Sequence, residues 1–305
     1  MTTERQRTQA RMRKRKQRAR ERGGEWAVVP KSVDSGAAPT GTLPMGVVRD
    51  LRIPVPPDGL KIAYIPDAQV MAGVPMEHLG WCGKYLAHKR PDVIVCGGDF
   101  GDFPSLSHFG TKGDFENKRY VKDAAAFHEG MALLMNPIHK ERRREGWSPY
   151  LEFLTGNHED HIGRFVSENP ILEGTMSIAD LRLEEYGWRV HPFLQPISIG
   201  GVAFNHYFPS GVMGKPITSA RALLSKLHMS AVAGHQQGKD IAFSRRADGG
   251  HLVAIITGSF YQHDYKYLSP FTNAHWRGML MMHEVKDGTF DEMFVSIDFL
   301  RRRFA

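Results

Sequence analysis

Only two of the 305 residues are cysteines, Cys82 and Cys96. Two thiols cannot supply a disulfide framework, and so few suit a reducing compartment. Cys96 sits in the apolar run VIVC and reads as a buried structural thiol. No apolar run approaches the ~20 residues that a membrane span needs. The basic N-terminus is not followed by an apolar segment, so we expect no secretory leader, no membrane association and a cytoplasmic, intracellular location. No internal repeat is present. Residues 1–22 also have no apolar stripe, so this segment cannot dock by hydrophobic burial.

What the N-terminus has is charge. The formal net charge is +7; residues 1–22 hold ten Lys/Arg against Glu4 and Glu21, a local +8 that leaves the other 283 residues at −1. The body is neutral and the basicity belongs to a tail. Residues 23–45, rich in Gly, Pro, Ser and Thr, read as a linker. We therefore expect a disordered basic tail and linker over 1–45 and a folded domain over 46–305. With 41% hydrophobic and 10% aromatic residues, that domain can bury a sizeable core.

Strand and helix patterns then alternate. LKIAYI (60–65), DVIVC (92–96) and YLEFLT (150–155) predict buried strands, with helices over 76–90 and within 117–145. This order indicates an α/β fold with parallel strands. PISIGGVAFNHY predicts a hairpin turning at Gly200-Gly201. A helix near 218–228 leads to the strand AVAG, and IAFSRR, HLVAIITGSF, GMLMMHEV and FVSIDFL read as antiparallel strands. The chain thus supplies two sheets with helices outside them.

Each apolar strand of the body ends in a polar cluster: Asp67-Ala-Gln69, Asp99 and Asp102 in GGDFGD, Asn157 to Asp160 in GNHED, Asn205-His206, and His235-Gln236-Gln237. Sites in open α/β sheets form beyond the carboxyl ends of strands. Any one cluster reads equally well as a turn or a helix cap. Together, Asp, Asn and His are a ligand set suited to two adjacent divalent cations, with a carboxylate such as Asp99 bridging them.

In this respect the sequence resembles the calcineurin-like metallophosphoesterases, whose members carry D-x-H, G-D-x-x-D, G-N-H-D/E, a lone His and G-H-x-H in that order. The corresponding stretches are DAQ (67–69), GDFGD (98–102), GNHE (156–159), His206 and GHQQ (234–237), and the resemblance spans residues 58–260. It implies a two-sheet αββα sandwich. It also implies metal ligands at Asp67, Gln69, Asp99, Asn157, His206, His235 and Gln237, with His158 and Asp102 as catalytic residues. His158 would contact the phosphoryl group and protonate the leaving oxygen, Asp102 would orient His158 or a ligand, and a metal-bridging hydroxide held by Asp99 would be the nucleophile.

The sequence departs from the family at two places. Gln69 and Gln237 stand where imidazoles of the first metal are expected, while Asp99, Asn157, His206 and His235, expected at the second, are intact. One reading is a changed metal preference: oxygen ligands favour Mn²⁺ or Mg²⁺ and disfavour Zn²⁺. The other is a first site that is weak or empty. Gln236 is the alternative ligand if the turn differs.

The implied activity is metal-dependent phosphoester hydrolysis. The basic tail suits nucleic acid, whose affinity for Lys/Arg comes largely from counterion release, and this favours a phosphodiesterase or nuclease. The alternatives are a phosphatase or cyclic-nucleotide phosphodiesterase on a small molecule, and a nucleic-acid-binding protein with a weakened metal site. Residues 104–119 and 261–277 are candidate rims. The second combines Tyr261, Tyr265, Tyr267 and Trp276 with Lys266 and Arg277, suited to base stacking beside phosphate contacts; His263 and His275 are further candidates for substrate contact. Either segment reads equally as a loop packing its aromatics on the body.

Overall fold

The alternation within LKIAYI decides the layering. Leu60, Ile62 and Tyr64 join one apolar cluster, while Ala63 and Ile65 join another, as the two-residue period of a strand buried on both faces requires. The computed structural model describes residues 47–107, 118–265 and 275–305, all within the unit Leu43–Ala305. The basic tail and linker, the middle of the 104–119 segment, and Lys266 and Tyr267 lie outside the described residues.

Strands β1 (Arg49–Asp50), β2 (Leu60–Ile65), β3 (Val93–Cys96), β4 (Tyr150–Leu154) and β5 (Arg189–His191) alternate with helices α1 (Glu77–Lys89), α2 (Tyr120–Glu145) and α3 (Asn157–Glu168). There follow β6 (Ile197–Ile199), β7 (Val202–Asn205), the short pair β8 (Pro209–Ser210) and β9 (Lys215–Pro216), and helix α4 (Ala220–Leu227). The chain ends with β10 (Ala231–Ala233), β11 (Lys239–Arg245), β12 (His251–Thr257), β13 (Gly278–Lys286), β14 (Thr289–Ser296) and helix α5 (Ile297–Phe304).

Two six-stranded sheets result, ordered β14-β13-β2-β3-β4-β5 and β1-β6-β7-β10-β12-β11. β2 through β5 run parallel, as do β7, β10 and β12. The cluster between the sheets takes Ile62, Tyr64 and Val95 from one and Phe204, Val232 and Ile255 from the other. On the outer face of the first sheet, Ile65, Ile94 and Phe153 pack against Leu79, Phe127 and Leu300 of the helices. On that of the second, Ala203, Ala231 and Ala254 pack against Leu223 and Leu224; small residues let α4 approach closely. The architecture is a two-sheet αββα sandwich.

Two elements differ from expectation. β12, expected as an antiparallel strand, is antiparallel to β11 but parallel to β10, because α4 and β10 bring the chain back in the direction of β7. FVSIDFL is half strand and half helix: β14 ends at Ser296, whose hydroxyl accepts from Phe299 N–H and caps α5. Ile297 and Leu300, three apart, are the buried residues of α5, and Asp298 at its start and Arg301 to Arg303 at its end suit the helix dipole. That signature outweighs the apolar content that suggested a continuous strand.

Candidate metal centre

The polar clusters meet because the parallel strands of both sheets end at one edge. Backbone bonds carry their pairing into the loops: Gln69 N–H donates to Asp99 O at 2.9 Å, Val70 N–H to Phe100 O at 2.8 Å, and Asp102 N–H to Val70 O at 2.9 Å. The sheets are tied across the cleft by His235 N–H, which lies 3.0 and 3.1 Å from the two carboxylate oxygens of Asp67. Glycine is required where loops approach this closely. A Cβ on Gly156 would stand 2.1 Å from Asp99 Oδ1, and one on Gly234 2.4 Å from Asp67 Oδ1.

The GNHE loop is clamped by its own glutamate. Buried Glu159 accepts from Gly156 N–H and Asp99 N–H, both at 2.9 Å, and from Gly101 N–H at 3.1 Å. It is therefore more than the helix cap that its position three residues after Gly156 suggests. Burial and the neighbouring Asp99 charge push its carboxyl up to about 7. Asp99 also accepts from His158 N–H at 2.9 Å, at the start of α3, where the helix dipole favours negative charge. Asp99, Gln69, His235 and Gln237 all have positive φ, at 48°, 42°, 66° and 58°. A non-glycine residue held there costs about 1 kcal/mol or more, and such strain gathers at functional sites.

Around His206 the structure converges lone pairs. The ring is wholly buried. Its Nδ1 lies 2.9 Å from Gly97 O, a carbonyl that can only accept, so Nδ1 carries a proton and Nε2 is the nitrogen that can act as a ligand once its own proton is displaced. That Nε2 lies 2.9 Å from Asn157 Oδ1, 3.2 Å from His235 Nδ1 and 3.2 Å from Asp99 Oδ2. Ligand atoms of Asp99, His206 and His235 all fall within 4.8 Å of one another. In the metal-free chain, burial opposes the His206 charge, but Asp99 outweighs it and holds the ring up at about 9. Burial and the His206 charge together push His235 down to about 4. Four electron-pair donors gathered in a buried cleft fit a divalent cation.

His158 stands beside this cluster. Its Nδ1 lies 2.6 Å from Asp102 O and 3.3 Å from Asp102 Oδ1, so the backbone carbonyl, more than the carboxylate, orients the ring. The other nitrogen, Nε2, is 3.7 Å from Asp99 Oδ2, and the ring of His161 packs against it with centroids 5.3 Å apart. Burial opposes protonation of His158, but the Asp99 and Asp102 charges hold it up at about 9. Burial raises Asp102 above the ordinary carboxylate range.

Asp67, Gln69 and Gln237 form the other side of the cleft. Burial, opposed by the His206 charge and aided by the Asp99 charge, brings Asp67 to about 6. Gln69 Oε1 accepts from Tyr265 O–H at 2.8 Å, and Gln237 Oε1 from Tyr261 O–H at 2.7 Å. These tyrosine partners, 196 and 24 residues away, leave no trace in the local sequence. Of the other residues expected to meet substrate, His263 packs against the rings of Tyr261 and Tyr265, with centroids 4.7 and 4.9 Å away. His275 Nε2 lies 2.8 Å from Ser259 Oγ and 3.2 Å from Tyr261 Oη. Arg277 donates to Gln262 O and Asp264 Oδ1 and lies over the Tyr261 ring. Lys266 is outside the described residues. Tyr261 and Tyr265 are buried, so their rings pack inward and present no stacking face.

No family model and no curated relative matches the chain. Among solved structures it is similar to a conserved uncharacterized protein, a predicted phosphoesterase, from Streptococcus pneumoniae TIGR4. The identity is 11%, the match covers 78% of this chain and 90% of that one, and the TM-score is 0.32. No described helix is long and apolar enough to cross a membrane.

Proposed function

We propose that this protein is a metal-dependent phosphoester hydrolase with phosphodiesters, nucleic acid foremost, as its substrate class. The observation that carries the reading is the convergence of Asp99 Oδ2, Asn157 Oδ1, His206 Nε2 and His235 Nδ1, with His158 Nε2 beside them. Two oxygens and two nitrogens suit Mn²⁺, which accepts both kinds of ligand; the carboxylate and amide oxygens also admit Mg²⁺. A divalent ion there would polarise a phosphoryl oxygen and make a bound water acidic.

The chain's own groups do the rest. Hydrolysis joins a water oxygen to phosphorus, breaks the bond to the ester oxygen and delivers a proton to the departing group. His158 can supply that proton from Nε2, because its Nδ1 is engaged by Asp102 O. Asp99 faces both the ligand cluster and His158, which keeps the proton donor beside the phosphoryl position. The preference for a polynucleotide is supported by ten Lys/Arg within residues 1–22.

The test is hydrolysis of a chromogenic phosphodiester, its monoester and single-stranded polynucleotide by metal-stripped full-length protein resupplied with Mn²⁺, Mg²⁺ or Zn²⁺. Mn²⁺-dependent diester cleavage is expected, falling by about 10²- to 10⁴-fold in His158→Ala, with polynucleotide affinity that weakens steeply as salt rises. A folded protein without turnover in any metal would overturn the reading. A monoester preference together with salt-insensitive binding would redirect it to a small-molecule phosphatase.

A further inference from the structure

We infer that the cleft holds one divalent cation and that a glutamine–tyrosine network takes the place of a second. The inference rests on the metal-dependent reading above and adds how many ions the site takes and what lines its other side. Each of the two glutamine side chains is already committed: Gln69 Oε1 to Tyr265 O–H and Gln237 Oε1 to Tyr261 O–H. An amide oxygen has two lone pairs, so one hydroxyl does not by itself forbid a metal. The bond does fix the amide's rotation, and it brings the positive end of an O–H dipole against the oxygen that would have to bind the ion. Asp67 is committed as well, since both its oxygens share the His235 N–H.

The network is also held from behind, so it cannot swing away at low cost. The Tyr261 and Tyr265 rings meet edge to face at 5.5 Å. Arg277 covers Tyr261 from 4.8 Å and bonds to Gln262 O at 3.1 Å. His78 fixes the neighbouring backbone through Phe260 O at 2.8 Å. On the Asp99 side, by contrast, His206 fixes its Nδ1–H on Gly97 O and turns Nε2 to Asn157 Oδ1 and Asp99 Oδ2, so that in the metal-free chain a proton on Nε2 holds the place a cation can take. One side is closed by hydrogen bonds between neutral side chains; the other holds an exchangeable proton that a divalent cation can displace. With each carbonyl turned to a phenol, the amide N–H groups of Gln69 and Gln237 are the arms left to meet a phosphoryl oxygen, a neutral substitute for the second ion.

The experiment counts metal, not turnover. Metal-stripped full-length protein is saturated with Mn²⁺, freed of excess ion and assayed for bound manganese, and its electron paramagnetic resonance spectrum is recorded. We expect one ion per chain with the spectrum of isolated Mn²⁺, and loss of that ion in His235→Ala. Two ions per chain, or an exchange-coupled pair, would overturn this inference and leave the proposed function standing. No bound ion at millimolar Mn²⁺ would overturn both. Gln69→His with Gln237→His, Tyr261→Phe and Tyr265→Phe is expected to raise the count from one to two. If that variant folds by circular dichroism and still binds one, the network is not what excludes the second ion. If it does not fold, the wild-type count decides.

Discussion

The two sides of the cleft are made from the same material, polar residues at the ends of buried strands, and are completed in opposite ways. Around His206, Asn157, Asp99 and His235 gather at 2.9 to 3.2 Å from one ring nitrogen, an arrangement held in the metal-free chain by a proton on that ring, which a divalent cation can displace. Around Gln69 and Gln237, every acceptor just described has a donor: a phenol for each amide and a backbone N–H for Asp67. The difference shows what separates a binding site from a polar patch. Both are buried and rich in oxygen, but only the first is completed by a proton that a metal ion can replace, since ligands give up protons when a metal binds.

The strongest way to break this contrast is to remove the charge at the junction of the two sides. Asp99→Asn keeps the shape but deletes the carboxylate that faces both His158 and His206. Turnover should fall by about 10³-fold or more, with Mn²⁺ binding weakened in a direct titration; retained activity would mean that Asp99 is structural. Next comes Glu159→Ala, which strands three buried N–H groups in the loops that carry Asp99 and Asn157. The expected loss is about 2–4 kcal/mol of stability in urea unfolding and about 10- to 100-fold in metal affinity.

Acid should act on the tyrosine side. Burial pushes His78 down to about 4 from an ordinary 6.5, and its ring nitrogens lie 2.8 Å from Phe260 O and 3.0 Å from the Gln262 side chain. The unfolded chain takes up this proton first as pH falls. The stability contributed by neutral His78 is therefore complete above about pH 6.5 and is lost as pH drops toward about 4, by an amount of order 3 kcal/mol. Unfolding curves across that window should flatten in His78→Phe. The smallest effect is expected for Tyr265→Phe, which removes one hydroxyl from Gln69: about 1 kcal/mol of stability and less than a tenfold change in rate. A large loss of turnover would place that phenol in the chemistry.

Local pattern explains how much of the molecule could be read from its sequence. The strands Leu60–Ile65, Val93–Cys96 and Tyr150–Leu154 and the hairpin around Gly200-Gly201 were legible because two-residue periodicity and turn chemistry are written within a few residues. The helix Ile297–Phe304 is hidden by an apolar content that mimics a continued strand, although Ser296, Asp298 and three arginines spell out a helix. Asp99, Asn157, His206 and His235 were legible as a group because each ends a strand and the strands share an edge. The roles of Glu159, Tyr261 and Tyr265 were not, because their partners are set by how loops from different strands meet.

By itself, the sequence determined the layers, the edge at which the clusters gather and the residue types available there, since periodicity and strand-end position are local properties of the chain. It also determined that glutamines, neutral and rich in hydrogen-bonding groups, stand at positions 69 and 237. Only the tertiary structure decided which donors those glutamines meet and which groups gather around His206. Pairing across 196 residues is a matter of packing between elements that no window of sequence contains.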